Sequence, residues 1–176
     1  MSIEIEVLNG DASWPLAQPL FNAIWPPHVV EKLPWGRFTT AYPEWRVLLQ
    51  AEPEGVVCHV GVQRREVKWN GRKMRAGGIG GVLTHEGFRR RGYASLALNA
   101  AIQILKDEGS IDFALLFCEP HMSEFYQSRG WHAFTGAVYA EQPEGRIRFE
   151  VMAPMVLDLK RRAPTLGQLD LCGLPW

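Results

Sequence analysis

The chain has 176 residues, 47% of them apolar, with 19 Lys+Arg against 19 Asp+Glu. That length suits one domain over 1–176 with a sizeable core, and the balanced charge leaves no global field to draw it to nucleic acid or a membrane surface. No apolar run approaches the roughly 20 residues of a membrane span, the three cysteines lack metal-ligand spacing, and the five histidines form no H-x-x-x-H pair. The start, Ser2-Ile3-Glu4-Ile5-Glu6, has no apolar stretch of the kind a secretory leader needs, so a reducing cytoplasm and no metal are expected.

Residues 3–8 alternate apolar and polar as a strand does. Residues 16–25 suit a short helix stopped by Pro26-Pro27. Residues 28–43 carry Trp, Pro and Gly without a period and read as an irregular wall over a site. Residues 45–50 and 56–69 read as strands, and Asn70-Gly71 predicts a tight hairpin to a return strand over 72–84. Gly77, Gly78, Gly80 and Gly81 predict a bulge or a close backbone approach in that strand.

Residues 94–106 form the best helical pattern, with Leu98, Ala101, Ile102 and Leu105 on one face and Gly109 at its end. A buried strand over 111–117 follows, then a helix between Pro120 and Gly130. Residues 131–139 and 146–156 predict a late hairpin around Gln142-Pro143-Glu144-Gly145. Strands first, then strand-helix-strand-helix-strand, predict an α/β sandwich on a mixed sheet.

Two segments carry chemistry. Arg89-Arg90-Arg91-Gly92-Tyr93-Ala94 follows a strand and opens the helix that Ser95 continues. Backbone N–H groups and the helix dipole favour an anion there, and Gly92 lets a phosphate come close. The spacing is neither a P-loop nor G-x-G-x-x-G. Taken alone, a triple arginine in a surface turn is more often solvated charge. The second segment is Glu119-Pro120-His121-Met122-Ser123-Glu124-Phe125-Tyr126-Gln127-Ser128-Arg129-Gly130-Trp131. Taken alone, Tyr126 reads as a core aromatic beside Phe125.

Arg-x-x-Gly-x-Ala over 89–94 resembles the coenzyme A signature of the GNAT superfamily of N-acetyltransferases. Phe125-Tyr126, three residues, then Gly130-Trp131 is similar to that superfamily's second motif. The resemblance spans residues 56–156 and implies an α/β acyl-CoA N-acyltransferase fold: a central mixed, mostly antiparallel sheet flanked by helices. It implies acetyl-CoA as cofactor, held by Val82, Leu83, Thr84, Arg89, Arg90, Arg91, Gly92, Tyr93, Ala94, Ser95 and Tyr126. Tyr126 is implied as the acid that reprotonates the leaving thiolate. A donor for the carbonyl oxygen is expected at a Gly81–Val82 bulge.

A narrower resemblance rests on Gln63-Arg64-Arg65, Asn70-Gly71, Arg75-Ala76-Gly77, Ser128-Arg129-Gly130-Trp131 and a tail with Cys172 and Trp176. These are similar to the aminoglycoside 2′-N-acetyltransferases, antibiotic-resistance enzymes whose terminal tryptophan carboxylate helps hold the cationic substrate. It implies acceptor contacts at Trp35, Gly80, Glu119 and Trp176. Two departures mark a divergent branch. The family's glutamate base falls on Gly80, and 34–40 is aromatic and basic where the family supplies acids. A low-charge aminocyclitol such as kasugamycin fits better than a polycation. Glu119 is the candidate base, with helix capping as its other reading. His85 and His121 are weaker candidates, and Cys118, closing an apolar strand, reads as an inert thiol. Direct transfer in a ternary complex is expected, with a small amine and a second copy of the chain as partners. The other readings are a GNAT enzyme for another amine or peptide N-terminus, and a non-catalytic CoA-binding module.

Overall fold

A computed structural model describes residues 2–176. The first strand, β1 (Ile3–Asn9), is followed by helix α1 (Trp14–Ile24), which starts two residues before the expected helix and carries Pro15 in its first turn. A single-turn helix, α2 (Pro27–Val30), and irregular backbone lead to β2 (Trp45–Ala51). Strands β3 (Gly55–Trp69) and β4 (Arg72–Thr84) form the central hairpin. Its turn residues Asn70 and Gly71 take φ of 49° and 80°, as Asn-Gly hairpins require. Helix α3 (Tyr93–Asp107), strand β5 (Phe113–Cys118) and a 3₁₀ turn, Pro120–Met122, precede the short helix α4 (Ser123–Gln127).

The predicted late hairpin is corrected. Each of its two long strands breaks in two, giving β6 (His132–Ala133), β7 (Ala137–Gln142), β8 (Gly145–Arg148) and β9 (Ala153–Asp158). The turn at 143–144 does join β7 to β8, but β6 and β9 pair with each other at the opposite end of the sheet. Gly136, inside the expected strand, marks the break. Its backbone lies against Gly167 so closely that no side chain would fit. A strand in the tail, β10 (Gln168–Asp170), was not foreseen; it pairs antiparallel with β3 and parallel with β7.

Among the described residues the result is one ten-stranded mixed sheet in which only β4–β5 and β7–β10 are parallel. Core residues cover both faces. On β5, Ala114 and Leu116 join one cluster while Phe113 and Leu115 join the other, so the strand is apolar throughout. Helix α3 packs Ala97, Leu98, Ala101 and Leu105 on the first face, and Gly77 leaves room for Leu105 against the sheet.

Two irregularities in β4 position the site. His59 pairs with Leu83 and Gly61 with Gly80, so Gly81 and Val82 both stand opposite Val60. Gly81 takes φ +57° in this bulge, which a β-branched residue would resist. The parallel pairing of β4 with β5 ends at Ile79 and Leu116, while β4 runs on to Thr84 and β5 to Cys118. The two strands therefore part beside the bulge.

Candidate active site

A cleft of about 920 Å³ fills this opening, running from the basic turn before α3 to α2 and the chain's tail. At one end, Arg90 and Gly92 both take positive φ, 62° and 81°. The first helical N–H bond of α3 is Leu96 to the Gly92 carbonyl, and no side chain caps the helix. The N–H groups of Tyr93, Ala94 and Ser95 are thus open donors at the positive end of the helix dipole. The space beyond Gly92, where a Cβ would stand, is empty to 4 Å. Open donors, positive φ and free space suit the pyrophosphate of a coenzyme A. Arg89, Arg90 and Ser95 line the cleft. Arg91 does not: its guanidinium lies 5.1 Å from the Phe88 ring centre. Arg89 donates through Nε to the Thr84 carbonyl at 3.1 Å, bracing the turn.

Val82, Leu83 and Thr84 line the middle of the cleft, opposite Glu119 and Tyr126. The Tyr126 ring is buried, packed edge-on against Phe125 at 5.0 Å and Trp131 at 6.2 Å. Its hydroxyl has no partner among the described residues. Burial, followed by neighbouring Cys118, pushes its pKa well above the usual tyrosine value, so it keeps its proton at neutral pH. Glu119 makes no capping bond to the following turn. Its carboxylate lies 3.6 Å from His121 Nδ1 and is about one-third exposed. Burial raises the Cys118 thiol above its normal range, consistent with an unreactive thiol.

At the far end, Trp35 stacks edge-on with Trp25 at 4.8 Å. The Trp176 indole lies on the sheet over Gly78, where a Cβ would come within 2.6 Å of the ring, and donates to the Leu115 carbonyl at 3.0 Å. Arg65 holds the tail by donating to the carbonyls of Leu171 and Leu174 at 3.2 and 2.8 Å. A Cβ on Gly80 would stand 3.4 Å from the main-chain carbonyl carbon of Trp176. The space into which a side chain at 80 would point is thus bounded by the Trp176 backbone.

Three cleft residues were not among the expected site residues. Arg129 lies 3.6 Å from the Phe125 ring centre and donates through Nε to Ser95 Oγ at 2.8 Å, placing a further cation beside the α3 N-terminus. Its place directly before Gly130 was a usable signal. The others are His59 and Arg46, both buried. Arg46 Nη1 lies 2.9 Å from His59 Nε2, and His59 Nδ1 lies 2.6 Å from the Gly81 carbonyl oxygen. Arginine can only donate, so Nε2 accepts and Nδ1–H donates to Gly81. A charge inside the apolar run 45–49 and a histidine inside the apolar run 56–62 were the available signs.

Burial, together with the charge of Arg46, lowers the His59 pKa from 6.5 to about 4, despite the bond to Gly81. Between those values the unfolded chain takes up a proton that the folded chain refuses. The contribution is present above pH 6.5 and is lost as pH falls towards 4, at a cost of about 3 kcal/mol. Urea unfolding at about pH 7.5 and about pH 4.5 should show a smaller acid-side loss for His59→Asn than for the native chain. Equal losses in the two proteins would contradict this.

A model of the acetyltransferase (GNAT) domain matches residues 20–134. No curated protein sequence matches the chain. Solved structures share the fold. ElaA of Escherichia coli superposes with a TM-score of 0.61 at 16% identity, over 89% of this chain and 100% of that one. YhbS of E. coli, a GNAT-family N-acetyltransferase in complex with CoA, gives 0.59 at 15% identity, over 97% and 88%. The ribosomal-protein-S18-alanine N-acetyltransferase of E. coli gives 0.57 at 14% identity, over 92% and 97%. With the family model matched over residues 20–134, more than half of the chain, and the open β4–β5 cleft in place, the chain belongs to the GNAT acetyltransferase domain family.

Proposed function

We propose that this chain moves the acetyl group of acetyl-CoA directly to an amine of a small, weakly cationic substrate of the aminoglycoside type. One observation carries the reading: a single cleft joins the open donors of α3 to the Tyr126 hydroxyl through the gap between β4 and β5. Acetyl-CoA, when bound, supplies the acetyl group as a thioester. The N–H groups of residues 93–95, with Arg90 and Arg129, hold its pyrophosphate. The Val82 N–H serves the carbonyl oxygen. Glu119 accepts the proton that the amine must lose, and the Tyr126 hydroxyl holds the proton destined for the departing sulfur.

The charge lining the cleft supports a substrate of low positive charge. Glu119 is the single acidic side chain among the described lining residues, which include Arg46, Arg89, Arg90 and Arg129. A polycationic antibiotic would meet net repulsion. A kasugamycin-like aminocyclitol, bearing its own carboxylate, has charge of the right kind. Trp35 and Trp176 offer flat walls to a sugar ring.

A steady-state assay with acetyl-CoA and a panel of kasugamycin, a polycationic aminoglycoside, a peptide N-terminus and a polyamine tests the reading. Turnover with kasugamycin above the others is expected. Turnover confined to the peptide or polyamine reassigns the acceptor, and CoA binding without turnover of any amine makes the chain a binding module. A C-terminal extension, or deletion of Pro175 and Trp176, should raise KM for the amine about tenfold and leave KM for acetyl-CoA nearly unchanged. Equal amine KM values in all three proteins would reduce the tail to a structural role.

A further inference from the structure

Gly81 is joined to Val82 by one trans peptide, whose C=O and N–H point in opposite directions. Its C=O is taken by His59, which stands on β3. The Val82 N–H therefore points away from the His59 ring, at a level where β4–β5 pairing has already ended at Ile79 and Leu116. Val82 lines the cleft at that level. The peptide is held at its carbonyl end by the His59 ring.

What holds it is more than one hydrogen bond. Arg46 donates through Nε to the Gly10 carbonyl at 2.9 Å, and its guanidinium lies 4.9 Å from the Trp14 ring centre. The Phe21 ring meets the His59 ring edge-on at 4.8 Å. Gly10 lies just before α1, and Trp14 and Phe21 are on it. The chain of contacts runs from the α1 segment through Arg46 and His59 to the bulge. A bulge glycine with φ +57° has other conformations open to it, and a single peptide flip would turn Val82 N–H out of the gap.

We propose that His59, fixed as its Nδ1–H tautomer by Arg46, is a positioning residue that sets the Val82 N–H towards the carbonyl oxygen of the acetyl group. The inference rests on the acetyltransferase reading above. His59 is 1% exposed at the cleft wall. It acts on the reaction through the Gly81–Val82 peptide, by keeping a donor preorganised where negative charge develops.

The test compares His59→Phe, which keeps a flat ring but loses the donor, with His59→Asn, whose side-chain N–H stands near the place of Nδ1. The readouts are kcat, KM for acetyl-CoA, and the Val82 amide signal in nitrogen-15 NMR spectra with acetyl-CoA alone or CoA alone. In the native protein the Val82 signal should move with acetyl-CoA and much less with CoA. His59→Phe should lose that difference and about tenfold in kcat, with KM for acetyl-CoA nearly unchanged, and His59→Asn should restore most of both. The native ring spectrum supplies a measurement that needs no variant: it should show His59 protonated on Nδ1.

An Nε2–H tautomer overturns the proposal. So does a His59→Phe protein with native kcat and native Val82 response, or a His59→Asn protein as impaired as His59→Phe. A native protein that turns over no amine, and whose Val82 signal ignores acetyl-CoA, overturns the acetyltransferase reading itself.

Discussion

Replacing Tyr126 by phenylalanine is expected to lower kcat about a hundredfold, the usual scale for losing a general acid. The ring stays, and with it the edge-on contacts to Phe125 and Trp131 that bury it. The removed hydroxyl has no partner among the described residues, so no buried donor or acceptor is orphaned and the fold should keep its stability. The upward pKa shift, driven first by burial and then by Cys118, means the hydroxyl carries a proton at every working pH. A thiol's reference pKa is roughly 8.5 against roughly 10 for tyrosine. A buried tyrosine is therefore a weak acid, held in place rather than activated. In its proposed role the group acts on the leaving sulfur, so kcat should fall with little change in either KM. Full activity in a folded Tyr126→Phe protein would hand the proton to solvent.

Gly92→Val should reduce CoA affinity at least a hundredfold while the chain still folds. Nothing within the protein blocks the new side chain, since the space beyond Gly92 is empty to 4 Å. Two other effects do the damage. A β-branched residue resists φ +81°, at a cost of about 1–2 kcal/mol, so the turn relaxes and its N–H groups lose their common direction. The new methyls also stand in the space the pyrophosphate would enter. Gly92→Ala should lie between the two, since it adds strain with less bulk. Calorimetric titration with CoA, alongside thermal melts, measures both quantities. Native CoA affinity in a folded Gly92→Val protein would remove the basic turn from the cofactor site.

The central elements were legible because local and tertiary signals agree there. Asn70-Gly71 has one comfortable hairpin geometry, and the α3 stripe has one face to bury. The four glycines of β4 announced a bulge but not its register; Val60 facing both Gly81 and Val82 is a fact of pairing, invisible in either strand alone. The late strands failed for a related reason. Residues 131–139 and 146–156 carry enough β-formers to read as two strands, while the contact of Gly136 with Gly167 that cuts the first depends on the far tail. The basic turn and Tyr126 were found through spacing. His59 and Arg46 were passed over because their meaning lies in a contact between β2 and β3, thirteen residues apart in the chain. Arg91 shares the motif with Arg90, but its guanidinium rests over the Phe88 ring, a contact the motif does not announce.

The β7–β8 hairpin reaches the rest of the sheet only through β10, since β7 pairs with β8 and β10, and β10 pairs with β3. Yet β10 follows both hairpin strands in the chain. On a ribosome the hairpin therefore emerges before the strand that gives it a neighbour, and until residues 168–170 are free it presents an unpaired edge. The same short segment leads to the Trp176 seat on Gly78. Docking of β10 thus joins the two halves of the sheet and brings the tail to the cleft in one event, so a nascent chain cannot have a fully walled cleft before it has a finished sheet.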